Sequence, residues 1–82
     1  MVTAAQIRAA RALLGWSGAQ LAEAAGISLQ TIRRMESDLG PGRSSAANVD
    51  AVRRALEMAG VQFLEPDDVL GGGPGVRLKP GL

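Results

Sequence analysis

SGAQLAEAAGISLQTIRRME, running from Ser17 to Glu36, is the stretch that decides the fold of this 82-residue chain. It reads as two short helices joined by a tight turn. Ser17 is a good N-cap, because its hydroxyl can accept a hydrogen bond from a free backbone N–H in the first turn. Leu21, Ala22 and Ala25 recur at helical spacing, and Gly26 stops the helix where a left-handed residue costs glycine nothing. Ile27 fills the turn. Ser28 caps the second helix, whose apolar side is Ile32 and Met35. The rest of that helix offers one apolar tip, one amide, one hydroxyl and two guanidiniums: Leu29, Gln30, Thr31, Arg33 and Arg34, with no acid until Glu36.

Such side chains suit the major groove. Glutamine pairs bidentately with adenine, arginine with guanine, and an apolar tip touches the thymine methyl. A helix-turn-helix sets the first residues of its second helix against base edges. The stretch resembles the DNA-binding domains of phage repressors and Cro proteins, the XRE-type helix-turn-helix family. Ser17, Leu21, Ala22, Gly26, Ile27, Ser28, Thr31, Ile32, Arg34, Met35 and Glu36 fall in register with that family's pattern. The chain departs from it at Gly18, where the family usually has a glutamine that contacts phosphate or braces the recognition helix. By this register, Leu29, Gln30 and Arg34 are expected to contact bases, and Arg33 a base or a phosphate. Ser17, Ser28 and Thr31 are phosphate candidates. The resemblance also implies that Arg11 pairs with Glu36, which makes Arg11 structural and not a DNA contact.

Working outward, Thr3 can cap a first helix with Ile7, Ala10, Leu13 and Leu14 on its apolar side, ended by Gly15. Trp16 precedes the Ser17 cap, where an apolar residue acts as a hydrophobic staple. Downstream, Ser37 to Ala47 reads as a loop broken by Gly40-Pro41-Gly42. Arg43 and Ser44 follow, and a guanidinium with small hydroxyls at a helix start makes a phosphate cradle. Asn48 is one N-cap for a fourth helix, though Ser45, Ala46 and Ala47 can extend it upstream. Val49, Val52, Leu56 and Ala59 form its stripe, and Gly60 ends it. Arg53 and Arg54 are expected in solvent or paired with Glu57.

After Gly60 the pattern changes. Val61-Gln62-Phe63-Leu64 is short and rich in strand formers, and Val76-Arg77-Leu78-Lys79 alternates apolar and basic. Between them lie a Glu65-to-Asp68 break, Val69-Leu70, which can tuck the loop against the body, and a glycine-rich turn. The expected fold is therefore mainly α: a four-helix repressor-like helix-turn-helix domain over residues 1–60, then a β-hairpin tail over 61–82. A lone two-stranded hairpin is marginal in water, and its edges can pair with another chain. Val61, Phe63, Val76 and Leu78 are accordingly expected at a homodimer interface.

Bulk properties narrow the function. Roughly 60% of the unfolded chain's surface is buried in a domain this small, so a partner subunit is a gain. With no cysteine and no histidine, disulfides, thiolate chemistry and the usual zinc ligands are out. Nothing clusters the remaining polar residues into a catalytic set, so no enzyme, metal site or cofactor is expected. Residues 1–54 hold seven arginines against four acids, and residues 55–82 two cations against four acids. The basic part carries the helix-turn-helix. No stretch approaches the roughly 18–20 apolar residues of a membrane span, and the first residues lack the basic start and long apolar run of a signal peptide. The expectation is a cytoplasmic protein, nucleoid-associated when bound to double-stranded DNA, that represses transcription as a homodimer on a palindromic operator. The alternative is a protein-interaction module, such as an antitoxin or adaptor, gripping a partner protein through the tail.

Overall fold

A computed structural model describes residues 2–66 and 71–80. Helix α1 (Ala4–Leu14) starts at a reciprocal cap. The Thr3 hydroxyl accepts from the Gln6 N–H at 3.1 Å, and the Gln6 side-chain oxygen accepts from the Thr3 N–H at 2.9 Å. Two of the four N–H groups that a helix start leaves over are satisfied in this way. Ile7 and Ala10 are buried and Leu14 packs on the core, but Leu13 is exposed. The buried face follows the i, i+3, i+7 spacing, and Leu13 falls one residue outside it.

Helix α2 (Gly18–Ala25) repeats the device with Ser17 and Gln20, at 3.1 and 2.7 Å. Gly26 ends it at φ 72°, a backbone that glycine adopts without strain. Helix α3 (Leu29–Met35) is capped by Ser28, whose hydroxyl accepts from the Thr31 N–H at 3.1 Å. The segment read as a plain loop contains a 3-10 turn at Pro41–Arg43. Helix α4 (Ala46–Met58) takes the upstream start: Ser45, not Asn48, is its cap, accepting from the Asn48 N–H at 3.1 Å.

Strands β1 (Val61–Leu64) and β2 (Gly75–Leu78) pair antiparallel, with Val61 opposite Leu78 and Phe63 opposite Val76. The second strand begins one residue earlier than its alternation suggests, and Lys79 donates its N–H to the Gly60 carbonyl at 2.8 Å to close the open end. At the loop end, the buried Gln6 side chain donates to the carbonyls of Leu64 and Gly75, at 3.2 and 3.0 Å. One amide thus joins α1 to both strands. Val69 and Leu70, expected to tuck the loop, lie outside the described residues.

A single core takes Ile7, Leu21, Ile32, Met35, Val52, Leu56 and Val61, all fully buried, from the four helices and β1. Each such side chain is worth about 1.5–3 kcal/mol when removed from water. Phe63 is also buried in this core, and Val76 packs against it. Val61 and Phe63, two of the residues expected at a homodimer interface, have their side chains in the protomer's own core. The hairpin closes the helical core, with β1 alternating inward and outward, and of the four residues expected at an interface only Leu78 is exposed.

Candidate nucleic-acid interface

Helices α2 and α3 meet through a turn that two local bonds hold. The Gly26 N–H donates to Glu23 O at 3.2 Å, and the Ile27 N–H donates to Ala22 O at 3.1 Å. Ile32 and Met35 then turn one side of α3 into the core. Positions three and four apart share a face of a helix, so Gln30, Arg33 and Arg34 form one stripe, and all three are exposed. Neither arginine has an ion-pair partner among the described residues. The arginines of α4 are engaged instead. Arg53 lies 5.6 Å over the Phe63 ring and bonds Glu57 at 3.4 Å, while Arg54 pairs with Asp50.

Glu36 does not dilute the charge of that stripe, because it faces α1. Arg11 donates from Nε to Glu36 Oε2 at 2.7 Å and from Nη2 to Oε1 at 2.9 Å. Its remaining nitrogen, Nη1, donates to the Trp16 carbonyl at 3.0 Å. This two-pronged geometry fixes direction as well as distance. The bond to Glu36 raises the Arg11 pKa above its ordinary value; burial opposes the rise, and the carboxylate charge adds to it. Arg8 donates to the backbone carbonyl of Glu36. Two cations of α1 therefore close the C-terminal end of α3, where the helix dipole is negative. Arg8 had no assigned partner in the sequence, since its target is a backbone atom 28 residues away.

The other expected contacts divide. Ser17 and Ser28 are exposed, and each hydroxyl serves as a cap. The Thr31 hydroxyl lies 2.8 Å from Ser28 Oγ. Arg43 ends the 3-10 turn. The Ser44 hydroxyl is buried with no hydrogen-bond partner. The Ser44 N–H donates to Pro41 O at 3.0 Å and closes the 3-10 turn. Leu29 is half-buried and packs on the core, which sets it apart from the exposed stripe. Trp16 also packs on the core, as a staple residue does.

A groove of about 490 Å³ lies between Pro41 and the start of α4 and includes none of the α3 stripe. A helix that reads DNA is a convex element and needs no cavity. No helix among the described residues is long and apolar enough to cross a membrane.

The family model described as Helix-turn-helix matches residues 7–60. The chain belongs to the XRE-type helix-turn-helix family, whose domains are DNA-binding regulators. No curated protein matches the chain.

Proposed function

We propose that the protein is a sequence-specific transcriptional repressor that binds a palindromic operator as a homodimer. The observation that carries the proposal is the α3 stripe of Gln30, Arg33 and Arg34: exposed, free of acids, and backed by a helix that Arg11 and Arg8 hold at its far end. Glutamine and arginine are the two side chains best suited to bidentate reading of adenine and guanine. Ser17, Ser28, Thr31 and the turn at Arg43 would contact the backbone and set the register. The working location is the cytoplasm, on the nucleoid when DNA is bound.

The dimer reading rests on exposed apolar surface at the end of α4 and of β2. Met58 is 89% exposed and Leu78 is 40% exposed. A two-stranded sheet also leaves a backbone edge unpaired on each side. In a dimer joined there, each α3 would enter one half-site, with half-sites about 34–36 Å apart.

The test is Arg34→Ala in a site-selection assay with the full chain. The expected result is a loss of about 1–3 kcal/mol in specific binding and a relaxed preference at one base position. An unchanged preference at every position would remove Arg34 from the reading set and with it the register of α3 on DNA.

A further inference from the structure

Gly18 and Leu29 meet where the two helices of the motif begin, Gly18 as the first residue of α2 and Leu29 as the first of α3. A Cβ placed on Gly18 would stand 3.1 Å from Leu29 Cδ1 and 3.9 Å from Ile32 Cγ2. Ordinary carbon–carbon contact is about 3.5–4.0 Å, so the Leu29 methyl occupies the room that a side chain at position 18 would need. Gly18 is not among the glycines with positive φ. Its backbone is ordinary helix, so the conformation does not require glycine here; a larger residue would need the Leu29 methyl or the start of α3 to give by a few tenths of an ångström.

We propose that Gly18 and Leu29 are a size-matched pair that sets the depth at which α3 presents Gln30, Arg33 and Arg34. Leu29 is then a positioning residue, not a base contact, and Gly18 is a specificity-determining residue that touches no base. The proposal rests on the DNA-reading role of α3. Its physics is contact distance: 3.1 Å is a few tenths of an ångström short of ordinary carbon contact, and Leu29 is packed against the core on its other side, so an added methyl group pushes on the start of α3. Bidentate base pairing tolerates little displacement, since hydrogen bonds weaken steeply off their preferred geometry. A side chain at position 18 would lift the start of α3, and the whole stripe would move with it.

The experiment compares the full-length wild type with Gly18→Ala, Leu29→Ala and the double variant. DNA selected from a random pool gives each motif, and binding to that motif and to unrelated DNA gives the specific-to-nonspecific ratio. Gly18→Ala is expected to lower that ratio by roughly tenfold, equivalent to about 1.4 kcal/mol. Adding Leu29→Ala is expected to restore most of it, and Leu29→Ala alone is expected to lower the ratio without erasing the preference at any one base position of the wild-type motif. Leu29→Val serves in its place if the alanine variant fails to fold. A role in stability alone would lower the melting temperature and leave the base preference intact, which would overturn the proposal. So would loss of one base position in Leu29→Ala, an unchanged ratio in Gly18→Ala, or no recovery in the double variant. A wild type that selects no motif would remove the regulator reading itself, and because it is measured first, that failure is told apart from failure of the pair.

Discussion

At the residue scale, Glu36 shows how one side chain separates structure from recognition. It is the only acid between Glu23 and Asp38, and it closes the recognition helix. Left facing outward, it would repel phosphates beside Arg33 and Arg34. Arg11 turns it inward with two charge-assisted bonds, and the carboxylate keeps only about a tenth of its side-chain surface, at 10% exposure. Hydrogen bonds to charged groups contribute about 1.5–3 kcal/mol each. Arg11→Ala is therefore expected to destabilise the fold by about 2 kcal/mol, and thermal unfolding should read this as a fall of roughly 8–16 °C. A melting temperature unchanged by that substitution would mean that the pair adds nothing to the contact between α1 and α3. The raised pKa of Arg11 keeps the guanidinium charged; a raised basic group loses its contribution only as pH climbs through its folded pKa. The arginine side of the pair therefore brings no pH dependence at neutrality.

At the scale of elements, the hairpin is held by more than its own ladder. The Gln6 amide donates to a carbonyl on each strand, and its oxygen accepts from Thr3. Gln6→Ala leaves those groups without partners, at a cost of about 1–3 kcal/mol for a buried group. The expected signature is faster amide exchange in β1 and β2 with little change in α3; a uniform rise across the chain would show instead that Gln6 supports the whole fold. The elements differ in how far the sequence alone reveals them, and the reason is range. Thr3, Ser17 and Ser28 cap helices, and Gly15 and Gly26 end them, through bonds spanning at most a few residues, so these were legible. The exposed stripe on α3 was legible for the same reason, because helical spacing alone places 30, 33 and 34 together. The inward use of Val61 and Phe63, the burial of Ser44 and the bond from Arg8 depend on what packs across the molecule. An alternating strand states that one face is covered, but not whether its own core or a second chain covers it. The glutamines at positions 6 and 20 complete capping boxes with Thr3 and Ser17, and that spacing of three is itself a local signal.

For the whole molecule, one continuous core has a consequence for how the dimer must be tested. Removing the tail would take Val61 and Phe63 out of the core and uncover the helices beneath, so a truncation would confound unfolding with dissociation. Leu78→Glu and Met58→Glu instead place charge on exposed positions and leave the core untouched. A dimer built on this surface should become monomeric in sedimentation at micromolar concentration while its helical signal is kept. A wild type that already sediments as a monomer would shift that surface to a different protein partner. Whether the molecule reads a specific DNA sequence is decided by selecting bound DNA from a random pool with the wild-type chain at two salt concentrations. A palindromic motif with half-sites about one helical turn apart is expected, with an affinity that falls steeply with salt as phosphate contacts are lost. Binding with no motif, or no binding at either salt concentration, would contradict that expectation.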